Sequence, residues 1–308
     1  MDVLITGGNG LLGGALCFEL IKKYRIICCY RSSRIDIANE NFSFLKADIT
    51  TGSLKEIEQA SPDIIVHAAA LTDLEFCEKN PELAYEVNVN GTKKILEVAK
   101  KCGAKLVYVC TDYIFDGKRG NYSEIDEPNP ISVYAKTKLQ GEEIIMKNYD
   151  DFLSIRTSLH GWNPNPAKSS LSSSIINSSR KKQIFLVTDQ ISSLMFTNDF
   201  ANILNEMLER DLTGIYNVTS SDSMSKYNFS LAIADVFNLN SDSIKPVSLD
   251  EFKKRFSLAA NRPQNISLNV SKIEDALGKR MCTVLEGLIS MREKEDDFKE
   301  SVRWVYAS

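Results

Sequence analysis

Near the start of this 308-residue chain, two apolar runs are joined by glycines in "VLITGGNGLLGGAL", residues 3–16. Residues 2–6 read as a short buried strand. From residue 10 to 23, Leu11, Leu12, Ala15, Leu16, Leu20 and Ile21 recur at a helical period. A glycine loop between a strand and a helix turns backbone N–H groups and the positive helix end toward one point, a cradle for a pyrophosphate. Two registers fit. Gly8, Gly10 and Gly13 spell G-x-G-x-x-G, whereas Gly7, Gly10 and Gly13 stand three apart. Gly13 is followed by Gly14 rather than by Lys-Ser or Lys-Thr, which excludes a nucleoside-triphosphate P-loop.

The same alternation continues along the first half of the chain. Strands are predicted at 25–30 ("RIICCY"), 42–47 ("FSFLKA"), 63–70 ("DIIVHAAA"), 104–110 ("AKLVYVC") and 152–157 ("FLSIRT"). Helices are predicted at 81–103, with Pro81 in the first turn and Gly103 at the end, and at 131–149 after Pro130. Strands this apolar are covered on both faces, so the expected fold is α/β: a doubly wound parallel Rossmann sheet. Beyond Gly161 the rhythm loosens into a short strand (184–187) and helices near 198–210, 224–237 and 283–304. The expected division is a cofactor-binding domain at 1–160 and a smaller, mostly helical substrate-binding region at 161–308, some of whose segments return to the first domain.

Bulk properties narrow the partners. The net charge is −4, and the one dense basic run, Arg180-Lys181-Lys182, is expected to be a solvated helix end, so no nucleic-acid partner is expected. No apolar segment is long enough to span a bilayer, so no membrane partner is expected. The first residues lack a basic stretch, and glycines end the apolar run early, as in a strand rather than a secretory signal. Seven cysteines without a Cys-x-x-Cys motif are expected to be reduced thiols of a cytoplasmic protein. No His/Cys cluster has metal-ligand spacing, so no metal site is assigned.

The second strand ends in Tyr30-Arg31-Ser32-Ser33-Arg34, with no acid at its tip for ribose hydroxyls. Arg31 and Arg34 suit a 2′-phosphate, which favours NADPH and leaves NADH as the alternative. Asp48, beside Ile49, is placed to accept from an adenine amino group. In "VYAKTK", Tyr134 and Lys138 stand four apart on one face of a helix. A lysine ammonium beside the phenol is expected to lower its pKa and fit it for acid–base work. Thr111 follows the fifth strand, at the sheet's C-terminal edge where open α/β sheets bind ligands, and its hydroxyl can donate to a carbonyl oxygen that Tyr134 protonates.

The glycine loop, Thr111, Tyr134 and Lys138 together resemble an extended short-chain dehydrogenase/reductase. That resemblance selects Gly7, Gly10 and Gly13 and makes Gly8 a passenger. More narrowly, the chain resembles dTDP-4-dehydrorhamnose reductases and their relatives. The shared stretches are "HAAALTDLEFCE" (67–78), "YEVNVNGTKKI" (85–95), "TDYIFDGKRGNYSEIDEPNPISVYAKTKLQGE" (111–142), "IRTS" (155–158), "VTDQ" (187–190) and "ANRPQNISL" (260–268). The resemblance implies that Leu11, Leu12 and Ile49 join the cofactor contacts. It also implies that Ala68, Ala69, Ala70 and Thr72 lie beside the nicotinamide and that Lys138 binds its ribose. Thr111 and Tyr134 would hold the keto oxygen, with Tyr134 supplying the proton. Asp112, Tyr113, Asp189, Gln190 and Arg262 would contact a sugar nucleotide, and Asn88 would order a strand–helix junction. A homodimer is compatible with the resemblance. Two segments depart from it, "RTSLHGW" and "ISSLMF", and both are expected near the sugar.

Among sugar-nucleotide enzymes, a 4,6-dehydratase would carry Glu after Asp112, where this chain has Tyr113, and a 4-epimerase would prefer an acid at the second strand tip. A regulatory subunit like the β subunit of methionine adenosyltransferase is the alternative from another class. The intact Thr111, Asp112, Tyr134 and Lys138 favour an enzyme. A hydrolase is disfavoured by the lack of a Gly-x-Ser-x-Gly elbow, and His67, in an apolar strand, is expected to be core.

Overall fold

The computed structural model describes residues 1–32, 34–51, 54–165, 168–178 and 183–305. Seven parallel strands form its central sheet: β1 (Asp2–Thr6), β2 (Arg25–Tyr30), β3 (Phe42–Lys46), β4 (Ile64–His67), β5 (Lys105–Val109), β6 (Phe152–Arg156) and β7 (Gly214–Asn217), in the spatial order β7-β6-β5-β4-β1-β2-β3. The six strands expected from the sequence are all present, and the seventh comes from the second half of the chain. The basic run at 180–182 lies outside the described residues.

Alternation along β1 sends Val3 and Ile5 to one face and Leu4 to the other, and all three are buried. On the first face they meet Leu16 of α1 (Leu11–Leu20) and Phe200 and Leu204 of α5 (Thr197–Glu209). On the second, Leu4 joins Ile57 of α2 (Lys55–Ala60), Ile95 and Leu96 of α3 (Gly91–Cys102), and Ile145 of α4 (Val133–Asn148). Two covered faces explain why the central strands β1 and β4 are apolar along almost their whole length.

The helix predicted at 81–103 runs from Pro81–Tyr85 through a π-helical turn at Glu86–Asn90 into α3. The turn presents Asn88, which accepts from Leu71 N (2.8 Å) and donates to Leu71 O and Thr137 Oγ1 (3.0 Å each), tying the loop after β4 to α4. β4 itself stops at His67, earlier than predicted, and Ala68–Ala70 leave the ladder. His67 is core: its ring meets Thr6 Oγ1 at 2.7 Å and Thr92 Oγ1 at 3.1 Å, and burial pulls its pKa down to about 3.

The second half adds short paired strands, Ile184–Val187 with Ile244–Val247 and Ile191–Ser192 with Met224–Ser225, and helix α6 (Lys226–Val236). The helix expected at 283–304 is broken into Val284–Glu293 and Glu295–Ser301. Then Arg303–Val305 pairs antiparallel with Arg34–Asp36. Of the two segments that depart from the reductases, Trp162, Ser192, Leu194 and Met195 are buried. Trp162 donates from Nε1 to Met291 O at 3.1 Å and packs edge-on against Phe237, so it is structural. All seven cysteines are free thiols, five of them buried. Among the described residues no helix is long and apolar enough to cross a membrane, and no His/Cys/Asp/Glu cluster could hold a metal ion.

Candidate active site

The strand order reverses between β1 and β4, the position at which an open α/β sheet leaves a crevice. A cavity of about 850 Å³ opens there. Gly7, Gly10, Leu11, Leu12 and Gly13 line it from the loop after β1, and Arg31, Asp48 and Ile49 from the β2 and β3 ends. Ala68, Ala69, Ala70 and Thr72 line it from the loop after β4, and Thr111, Asp112, Tyr113, Tyr134 and Lys138 close it on the β5 side. Residues that the sequence scatters over more than a hundred positions thus share one wall.

The glycines form this wall for separate reasons. Gly7 has φ +67°, and a Cβ there would lie 2.8 Å from Ala69 Cα. A Cβ on Gly13 would lie 2.1 Å from Gly7 O, so loop and helix could not close together. Gly10 N–H donates to Gly7 O at 2.9 Å. Gly8 is no passenger: a Cβ there would lie 2.4 Å from the buried Cys28 Sγ. Each position keeps the loop flat against the sheet, leaving the head of α1 free for a phosphate group.

Arg31 is exposed on the cavity wall. Arg34 belongs to the strand that pairs with the chain's end, and its side chain lies outside the described residues. Asp48 Oδ1 accepts from Thr50 N (2.9 Å) and Thr50 Oγ1 (2.7 Å), which fixes its carboxylate at the rim. The sequence did not expose a further wall: Asn163, Asn165 and Lys168, from beyond Gly161, also face the cavity, and Pro164 leans against Gly14.

Helix α4 carries Tyr134 and Lys138. Ser132 caps it by accepting from Ala135 N, and a buried ion pair holds it to the sheet: Arg156 of β6 donates to Glu142 at 2.8 Å, while Ser154 Oγ donates to Glu142 Oε1 at 2.7 Å. Lys138 Nζ sits 4.1 Å from the centre of the Tyr108 ring, and Tyr108 OH donates to Lys138 O. Burial lowers the lysine's pKa to about 8, against the pull of Cys110 and Glu142.

The expected lowering of the Tyr134 pKa by Lys138 is not what the structure gives. Burial raises the phenol above its ordinary range, partly opposed by its hydrogen bond to Thr111. The phenol is therefore a stored proton rather than a ready phenolate. Thr111 Oγ1 accepts from Tyr113 N and donates to Asp112 Oδ1, both at 3.2 Å, and the Tyr113 and Tyr134 rings meet edge-on at 6.2 Å.

The remaining expected substrate residues separate. Gln190 donates to Tyr113 OH at 3.1 Å and so adjoins the cavity wall. Arg262 pairs with Glu75 at 2.7 Å, and Glu75 also accepts from Ala259 N. Asp189 Oδ1 accepts from Leu249 N at 2.7 Å and secures the helix Leu249–Arg255. Glu75, through Arg262, and Ser158, on the cavity wall, join this side without having been singled out.

The fold, with its glycine cradle and Thr–Tyr–Lys wall, is that of an extended short-chain dehydrogenase/reductase. The chain belongs to the family described as RmlD substrate binding domain, whose model matches residues 1–296. It is 30% identical to methionine adenosyltransferase 2 subunit beta of Danio rerio, over 88% of this chain and 84% of that one. It is 29% identical to dTDP-4-dehydrorhamnose reductase of Aggregatibacter actinomycetemcomitans, over 90% and 93%. A crystal structure of dTDP-4-dehydrorhamnose reductase from Bacillus anthracis in complex with NADP superposes with a TM-score of 0.80 at 29% identity, covering 95% of this chain and 99% of that one.

Proposed function

We propose that the protein is an NADPH-dependent reductase of a 4-keto-6-deoxy sugar nucleotide, of the dTDP-4-dehydrorhamnose kind. The carrying observation is that Thr111, Tyr134 and Lys138 line the same cavity as the glycine cradle. The cavity fits a dinucleotide: Cβ atoms at Gly7 and Gly13 would fill or close the cradle, and similarity to an NADP-bound reductase supports the same group here. Gly7, Gly10, Leu11, Leu12 and Gly13 would hold the pyrophosphate and Arg31 a 2′-phosphate. Asp48 and Ile49 would flank the adenine, and Ala68, Ala69, Ala70 and Thr72 the nicotinamide, with Lys138 on its ribose. A reduced nicotinamide bound there supplies a hydride. Tyr134, kept protonated by burial, donates the proton to the keto oxygen, and Lys138 stabilises the phenolate left behind. Residues 1–160 would serve the cofactor and 161–308 the sugar nucleotide through Gln190 and Arg262, with β7 returned to the sheet. A homodimer is the assembly carried over from the resemblance, and a cytoplasmic location rests on the free cysteines.

The test is NADPH oxidation by the purified protein against a panel of keto-sugar nucleotides. Turnover of a 4-keto-6-deoxy sugar is expected; no turnover of any member would overturn the proposal. The 30% identity to the zebrafish subunit supports a second reading, a cofactor-binding regulatory subunit. It predicts cofactor binding without turnover, and altered methionine adenosyltransferase kinetics on mixing.

A further inference from the structure

The helix Leu74–Lys79 stands beside the cavity and is docked at both ends. Asp73 caps it by accepting from Phe76 N at 2.8 Å, and Glu78 Oε1 accepts from N of Val133, the first residue of α4, at 2.9 Å. Leu71, Thr72 and Leu74 line the cavity from this side. Glu75, the next residue, therefore stands at a fixed offset from the helix that carries Tyr134 and Lys138.

One segment of the second half of the chain comes to Glu75. Leu258 N–H still closes on the preceding helix, donating to Lys253 O at 3.0 Å, and Gln264 O accepts from Ile191 N at 2.6 Å. Residues 259–263 cross between those two points outside any helix or strand. Glu75 takes three donors from them: Ala259 N at 2.8 Å, Ala260 N at 3.3 Å and Arg262 Nη1 at 2.7 Å. At the segment's other flank, Pro263 O accepts from Gln190 Nε2 at 3.4 Å, and the same amide donates to the hydroxyl of Tyr113, which lines the cavity. The segment thus runs from the loop after β4 to the wall at Tyr113, with Arg262 between its two ties.

Arg262 is the part of this arrangement that a ligand can use. Its side chain is 11% exposed and that of Glu75 22%, so the pair is better shielded than a surface ion pair. Within the described residues its hydrogen bonds leave from Nη1, to Glu75 Oε1 and to Ala260 O at 3.1 Å. The Nε and Nη2 edge keeps its N–H groups, a planar fork that matches two phosphate oxygens. A guanidinium already gripped at one nitrogen loses little further freedom when an anion meets its other edge.

We propose that Glu75 is a positioning residue: it clasps residues 259–262 to the helix beside the cavity and so holds the free edge of Arg262 as the contact for the diphosphate of a sugar nucleotide. The identity of the anion rests on the proposed reductase function; the clasp does not. Because the clasping helix is docked on α4, the nucleotide end of the substrate is registered against Tyr134.

The test uses the full chain with Glu75→Ala, Arg262→Gln and the two together. The first measurement is hydrogen exchange of the free protein, read by mass spectrometry on peptides within 257–264. Glu75→Ala is expected to speed exchange of the Ala259 and Ala260 amides about tenfold or more, with β1 to β6 exchanging as in the parent. An unchanged rate overturns the clasp. The second measurement is calorimetric binding of dTDP to the NADP-loaded protein. Glu75→Ala and Arg262→Gln are each expected to weaken dTDP about tenfold, the size of one charge-assisted hydrogen bond, and the double variant no more than the worse single one. NADP affinity stays as in the parent. With dTDP-4-dehydrorhamnose the same variants should raise KM about tenfold and leave kcat within a factor of about two. Tighter dTDP binding by Glu75→Ala would make the carboxylate a rival for Arg262 and overturns the proposal, as do losses that multiply in full. If the parent neither binds dTDP nor turns over a keto-sugar nucleotide, the reductase reading fails instead, and the exchange rates still decide whether Glu75 holds the segment.

Discussion

Around the glycine loop the cavity wall is backbone. Gly7, Gly10 and Gly13 present main-chain atoms at close quarters, and the tolerances are set by a Cβ that is absent. Across the switch point the wall is built from side chains of distant segments: Thr111, Asp112 and Tyr113 from the turn after β5 and Tyr134 and Lys138 from α4, with Gln190 held against Tyr113. A backbone wall binds what every dinucleotide shares. A side-chain wall can change one residue at a time, so chemistry and specificity belong to it.

Tyr134→Phe should break the two walls apart most sharply. It is expected to lower kcat about 10²–10⁴-fold while NADPH affinity, measured by fluorescence quenching, stays as in the parent; an unchanged kcat would remove Tyr134 from the chemistry. Beneath the same wall, Arg156→Met leaves Glu142 buried and unpaired. It should lose about 3–5 kcal/mol in urea unfolding, and adding Glu142→Gln should recover part of that loss. On the backbone wall, Gly8→Ala should destabilise by about 1–3 kcal/mol through overpacking on Cys28, and Cys28→Ala should relieve it. If the double variant is no more stable than Gly8→Ala, the steric account of Gly8 is wrong.

Arg31→Ala should weaken NADPH about tenfold and NADH hardly at all, the size of one charge-assisted phosphate contact, and equal losses would dismiss the 2′-phosphate role. The smallest effect concerns pH. Because burial lowers the Lys138 pKa to about 8, the free protein loses that positive charge as pH rises through 8. NADPH affinity should fall several-fold between pH 7 and pH 9, and Lys138→Met should flatten the profile.

The same contrast explains what the sequence reveals. The parallel sheet was legible because β1 to β6 are apolar runs bounded by Gly, Pro and helix starts, and the glycine cradle because its residues are neighbours in the chain. Local spacing also marked Tyr134 and Lys138. Glu75 sat inside a recognised stretch, but its pairing with Arg262 depends on tertiary packing. The raised Tyr134 pKa was missed for a related reason: spacing gives the lysine's proximity but not the desolvation that outweighs it. Gly8 was misjudged because its neighbour, Cys28, is on another strand.

The π-helical turn at Glu86–Asn90 has a consequence for how this fold tolerates insertion and deletion. A π turn holds one residue more than an α turn closing the same ladder, and each residue of an α-helix advances the side-chain azimuth by about 100°. Removing one residue there would regularise the helix yet rotate Pro81–Tyr85 against α3 by that angle. Either Ala84 or Ile95 would then leave its buried position, and Asn88 would swing off the loop that carries Leu71. The irregular turn works as a phase adjuster, which keeps two helical faces docked on the molecule at once.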